Sequence, residues 1–191
     1  MKGIFGLGNP GPAYTLTRHN VGFQTIDLYR TANRLRRAGK IEHDCLVYRA
    51  GDLLLCKPLT RMNASGRAMA ETLDAYSIAP RDVLVVHDDL DLPLGRLKIV
   101  AAGGAGTHKG MKSILEALGT NEVPRLKIGI EIEGRAKPGE AFVLERFTPD
   151  EWSRLLPVLE AAADAIDAFR TGDVDALMTR FNRRTEPGCR F

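Results

Sequence analysis

The chain has 191 residues, 44% of them hydrophobic and 27% charged, with a formal net charge of +3. That balance describes a folded globular protein and excludes a low-complexity or disordered chain. No apolar run approaches the roughly 18 residues of a membrane helix, and so small a net charge requires any basic, nucleic-acid-binding face to be local.

The first residues run directly into a strand-like segment with no signal-peptide pattern. Cys45, Cys56 and Cys189 are odd in number and have no metal-ligand or redox spacing. A cytoplasmic protein without disulfides is the expectation.

Read in chain order, β-type runs fall at 2–7, 45–50, 53–58, 83–87, 96–100 and 126–132. Val83-Leu84-Val85-Val86 is apolar on both faces, as a buried central strand requires. Gly51-Asp52 joins the second and third runs as a tight hairpin. Helical patterns fall at 21–37, 64–76, 110–118, 149–170 and 174–183. Met69, Leu73 and Tyr76 recur at helical spacing and mark a core face. Thr148-Pro149-Asp150-Glu151 has the form of a capping box with proline at the first helical position. Pro157 is expected to kink that helix, Gly172 ends it, and Asp173 caps the next. Strands interleaved with helices predict an α/β fold, a three-layer sandwich with a mixed, mostly parallel central sheet flanked by helices.

Gly6, Gly8 and Gly11 match the G-x-G-x-x-G of a dinucleotide loop. The match fails on physical grounds. Pro10 has no N–H to donate, Pro12 follows at once, no helical pattern begins before Val21, and no acidic residue ends a second strand. The segment from Gly8 to His19 reads instead as an irregular loop leaving the carboxyl end of the first strand, where open α/β sheets place ligands. A second glycine-rich stretch, 101–110, departs from a phosphate-binding P-loop at both residues flanking Lys109. It is either a plain flexible loop or a flap with His108 and Lys109 aimed at a substrate.

His19 ends the first loop and Asp88 lies just past the buried strand. A carboxylate beside the ring would fix its tautomer and make a general base. A purely structural histidine is the alternative. Asn63 opens a helix, and spacing favours an N-cap there over an amide aimed at substrate. Asp88, Asp89 and Asp91 resemble a Mg²⁺ cluster, but adjacent carboxylates on an extended strand point apart, and no metal is expected. Ser65 has no nucleophile elbow around it.

Taken together, Gly6-Leu7-Gly8-Asn9-Pro10-Gly11, Tyr14, Thr17-Arg18-His19-Asn20-Val21-Gly22, Met62-Asn63 with Ser65-Gly66, His87-Asp88-Asp89-Leu90-Asp91-Leu92-Pro93 and Arg125-Leu126-Lys127-Ile128-Gly129-Ile130 resemble bacterial peptidyl-tRNA hydrolases in order and spacing. The resemblance covers nearly the whole chain and weakens in the last two dozen residues. It implies hydrolysis of the ester between a peptide and tRNA, no metal or organic cofactor, peptidyl-tRNA as partner, no obligate protein partner, and a monomer. By position it makes His19 the proton acceptor and Asp88 the stabiliser of its basic form. Asn9 would discriminate blocked from free aminoacyl groups, Asn63 would bind near the scissile ester, and Tyr14 would face the tRNA.

Two residues depart from the family pattern. Lys109 replaces the asparagine usual after the flap histidine, and Arg61 replaces an aromatic residue before Met62-Asn63. Lys109 can attract a phosphate only as a point charge. With His108, both are expected on the substrate and tRNA side. Lys98, Lys112 and Arg125 are candidates for phosphate contacts, with a solvated charged surface as the alternative. Arg180, Arg183, Arg184 and Arg190 form a basic tail. A single catalytic domain is expected over 1–185, with a flexible tail over 186–191. Rival readings are an RNA-binding relative without the reaction, and an esterase or amidase acting on another acyl substrate.

Overall fold

The structure is a computed structural model and describes residues 1–182. Arg183, Arg184, Cys189, Arg190 and the expected tail at 186–191 lie outside the described residues.

Seven strands form one sheet. They are β1 (Lys2–Gly6), β2 (Lys40–Glu42), β3 (Cys45–Ala50), β4 (Leu53–Pro58), β5 (Val83–Pro93), β6 (Leu97–Val100) and β7 (Arg125–Glu131). Their order is β2-β3-β4-β1-β5-β7-β6. The centre, β4-β1-β5-β7, is parallel, and the outer strands β3, β2 and β6 pair antiparallel. The hairpin at Gly51 forms as expected, with φ of 65° at that glycine.

The helices are α1 (Val21–Ala32), α2 (Ser65–Tyr76), α3 (Lys109–Leu118), α4 (Gly139–Phe142), α5 (Pro149–Thr171) and α6 (Val174–Phe181). Alternation along the strands divides the core into two layers. Ile4, Leu53, Leu55, Leu84 and Val86 pack with residues of α1, α5 and α6. Phe5, Leu54, Cys56, Val83 and Val85 pack on the other face, with Met69 and Leu73 of α2 and Met111 and Ile114 of α3. This is the expected three-layer arrangement. Thr148 and Glu151 make both bonds of the capping box, and Asp173 accepts from the Ala176 amide as the cap of α6. Helix α5 continues through Pro157.

Some boundaries differ from the sequence reading. Helix α1 stops at Ala32, because Arg34 turns left-handed at φ 52°. The short edge strand β2 and the single-turn α4 carry no periodic signal of their own. Strand β5 extends six residues past His87, with an irregularity between Asp89 and Pro93 where it meets β7.

The sheet reverses its winding at β1. The chain passes from β1 by α1 and the hairpin to β4 on one side, then by α2 to β5 on the other. The carboxyl ends of β1, β4 and β5 therefore open into one crevice. The helix that follows β1 approaches it very closely. A Cβ on Gly22 would lie 2.3 Å from the Leu7 nitrogen and 2.4 Å from the Val86 carbonyl oxygen, and one on Gly6 would lie 2.3 Å from the Gly22 carbonyl oxygen. Of the opening glycines, Gly6 serves backbone packing; no helix N-terminus follows it to receive a cofactor.

Candidate active site

A cleft of about 1030 Å³ occupies this crevice. It is lined from the β1 loop by Asn9, Tyr14 and His19, from the segment after β4 by Arg61 and Asn63, from β5 by His87 to Asp91, and from the glycine-rich loop by His108 and Lys109.

The floor is a polar network centred on Asp88, which is 2% exposed. Its Oδ1 lies 2.8 Å from Nδ1 of His19 and 3.0 Å from Nε2 of His108. Burial alone would raise the Asp88 pKa. The charges of His19 and His108 and their hydrogen bonds outweigh it and hold the carboxyl well below the usual carboxylate range. Asp88 is thus an ionised acceptor in the native protein. The stability it contributes is present above the ordinary carboxylate pKa and is lost only as pH falls through its depressed one.

The partners of each ring nitrogen decide which histidine can take a proton. His108 caps α3: its Nδ1 accepts from the Met111 amide at 3.1 Å. Its Nε2 must then carry the proton given to Asp88. Both nitrogens of His108 are thus occupied within the protein, while its ring lines the cleft. His19 donates from Nδ1 to the same oxygen, which leaves the lone pair on Nε2. That atom has no partner among the described residues, and the ring borders the cleft. His87 lies beneath, fully buried, its ring edge-on to His108 at 4.7 Å. Its Nδ1 donates to the Asp88 carbonyl oxygen at 2.7 Å. Burial first, then the charge of His108, drives its pKa down, so it remains neutral.

His19 is held through its backbone. Its amide donates to the Val143 carbonyl at 2.8 Å, and the Arg18 amide to the Glu145 carbonyl at 2.9 Å. The buried Arg18 guanidinium makes a forked contact with Glu151 at 2.8 and 2.9 Å and lies between Phe142 and Phe147, 4.2 and 4.7 Å from the ring centres. This anchor joins the loop before α1 to the start of α5.

Asn9 is fixed on three atoms. Asn20 accepts from its backbone amide and donates to its carbonyl, each at 2.9 Å, and its side-chain oxygen accepts from the Met62 amide at 2.9 Å. Its amide NH₂ is left without a partner among the described residues, at the cleft wall. The clamp by Asn20 carries no sequence signal beyond its place after His19.

Asn63 is not a helix cap. It lies within a 3₁₀ turn, Met62–Ala64, ahead of α2, whose N-cap is Ala64. Its exposed amide borders the cleft with no internal hydrogen bond. Tyr14, 38% exposed, and Arg61 also stand at the cleft wall.

Lys98, Lys112 and Arg125 do not line the cleft. Arg125 is buried, and its guanidinium donates to the carbonyls of Gly103 and Gly104, anchoring the glycine-rich loop. Lys98 is an exposed residue of edge strand β6, and Lys112 faces Glu116 one turn along α3.

The three aspartates do not converge. Asp89 turns to Lys127 at 2.8 Å and Asp88 to the histidines. Among the described residues, the convergent set of potential metal ligands is His19, Asp88 and His108, whose ligand atoms lie within 4.8 Å of one another. In the geometry present, these atoms satisfy each other by hydrogen bonds. Cys45 and Cys56 are free and buried, away from the cleft.

The profile of the peptidyl-tRNA hydrolase family matches residues 3–188. The chain belongs to the peptidyl-tRNA hydrolase family. It is 43% identical over 189 residues to the peptidyl-tRNA hydrolase of Symbiobacterium thermophilum, covering 95% of this chain and 98% of that protein. It is 44% identical to that of Moorella thermoacetica, over 94% and 96% of the two chains. The crystal structure of peptidyl-tRNA hydrolase from Acinetobacter baumannii shares the fold with a TM-score of 0.87 and 30% identity, covering 95% of this chain and 94% of that one. Among the described residues, no helix is long and apolar enough to cross a membrane.

Proposed function

We propose that the chain hydrolyses the ester joining a peptide, or an N-blocked aminoacyl group, to tRNA, with His19 as general base. The observation that carries this reading is the His19–Asp88 contact of 2.8 Å, with Nε2 of His19 left free at the cleft. A water held at Nε2 gives up a proton as its oxygen attacks the ester carbonyl carbon. Asp88, ionised and within hydrogen-bond reach of Nδ1, stabilises the imidazolium that forms. The carbonyl oxygen becomes an oxyanion, and Asn63, with its unpartnered amide, is the donor suited to it. Collapse of the tetrahedral intermediate breaks the bond to the ribose oxygen, which leaves as a hydroxyl with the proton from Nε2. The peptide departs with a free carboxyl group.

The NH₂ of Asn9 serves as a donor to the substrate acyl chain next to the ester. Leu90 and Leu144 give the cleft an apolar side that suits peptide side chains, while Tyr14, Arg61 and Lys109 face the RNA portion. The occupied nitrogens of His108 support His19 as the base over its neighbour.

The test is release of tRNA from N-blocked aminoacyl-tRNA by the wild-type protein and by His19→Ala. Loss of a general base costs about 10²- to 10⁴-fold in turnover. Equal turnover by the two proteins removes His19 from this role. An inactive wild type that still binds the RNA favours a binding protein over an enzyme.

A further inference from the structure

The cations bordering the cleft are not alike. Lys127 pairs with Asp89 of β5, and Arg135 with Glu131 of β7. Arg61 is exposed and has no carboxylate partner among the described residues. Lys109, the first residue of α3, reaches Glu140 of α4, with Nζ 2.7 Å from Oε1. The side chains of that pair are 60% and 80% exposed, so solvent screens the contact. Both residues line the cleft, so the pair ties the flap side to the α4 side at the surface.

Arg61 and Lys109 belong to adjoining backbone. A Cβ placed on Gly110 would lie 2.5 Å from the Met62 sulfur, so the segment carrying Arg61 packs directly on the start of α3. Two cations, Arg61 and Lys109, thus line the cleft from adjoining segments of backbone. Such a pair suits an anion with several acceptor oxygens. Glu140 supplies a single carboxylate to one of them.

We propose that Arg61 and Lys109 form an anion subsite for a phosphodiester group of the RNA, with the Glu140 carboxylate as its internal placeholder. The inference rests on the reading of the chain as acting on an RNA ester, and it adds a competitor to that site. When the nucleic acid enters, a phosphate oxygen takes the place of Oε1 on Lys109 and Glu140 turns to solvent. An exposed ion pair shifts an equilibrium by only about two- to fivefold, so the exchange is readily reversed. Glu140 thereby selects for ligands that bring a phosphate to this point and disfavours neutral esters that bring none.

The test is a double-mutant cycle in steady-state hydrolysis of N-blocked aminoacyl-tRNA, with thermal melts as the control for folding. Glu140→Gln lowers KM about threefold by removing the competitor, with less than a twofold change in kcat. Lys109→Ala raises KM and reduces the dependence of log KM on log salt by about one phosphate contact. In Lys109→Ala/Glu140→Gln the benefit of the glutamine disappears, because there is no cation left to free. An unchanged or higher KM for Glu140→Gln, or strictly additive effects, overturns the proposal. If the wild type releases no tRNA, the reaction itself is misassigned. Fluorescence anisotropy with a short single-stranded RNA then tests the subsite in the same four proteins, and equal affinities for wild type and Glu140→Gln overturn it.

Discussion

The floor and the rim of the cleft are built on opposite terms. On the floor, Asp88 serves two histidines through one oxygen, His108 is held at both nitrogens, and Asn9 is clamped by Asn20 and Met62. At the rim, Arg61 has no internal partner among the described residues, and Lys109 and Glu140 have only each other, in water. The floor holds its groups in place before substrate arrives, which is what proton transfer requires. The rim leaves its groups free to exchange partners, which is what capture and release require. Substitutions on the floor should therefore act on turnover, and those at the rim on affinity.

The largest effect that can break this comparison is at Asp88. Asp88→Asn keeps the shape but replaces the ionised acceptor, so His19 loses the partner that fixes its tautomer. A fall in kcat of about 10²-fold or more is expected, measured as single-turnover release of tRNA. Because Asp88 stays ionised well below the usual carboxylate range, it adds no acid limb of its own to kcat/KM near the ordinary carboxylate pKa. An acid limb there that disappears in Asp88→Asn would contradict this. Next in size is Asn20→Ala, which leaves Asn9 unclamped at two backbone atoms. About tenfold is expected in kcat, with about 1–3 kcal/mol of stability lost to unpaired buried groups. A change confined to KM would place Asn9 on the rim side of the division. The smallest effect is expected of Arg61→Ala: a rise in KM of about threefold that vanishes at high salt, with kcat kept.

The floor was far more legible in the sequence than the rim. His19 and Asp88 stand out because each ends a recognisable segment at the carboxyl side of a strand, and sheet topology brings such ends together. The core faces follow from strand alternation and from the spacing of Met69 and Leu73. What the sequence hides are partnerships that depend on tertiary placement. Arg125 was indistinguishable from a surface cation until the glycine-rich loop presented two carbonyls to it. Asn63 has the composition of a cap, but a 3₁₀ turn moved the helix start past it. His108 looked free because its use as a helix cap and its bond to Asp88 both depend on how α3 is seated. Glu140 lies in a single-turn helix with no pattern to mark it, 31 positions from its partner.

The contact of Gly22 with Leu7 and Val86 has a wider reach than packing. His19 lies three residues before Gly22, so the base takes its distance from β5 from a place where two backbones touch. No side chain there can rearrange to absorb an added methyl group, so α1 would have to shift and take the imidazole with it. Gly22 thus acts as a gauge block between the proton acceptor and the carboxylate it depends on. In a mutational scan for activity it would score with the reactive residues while holding no reactive atom.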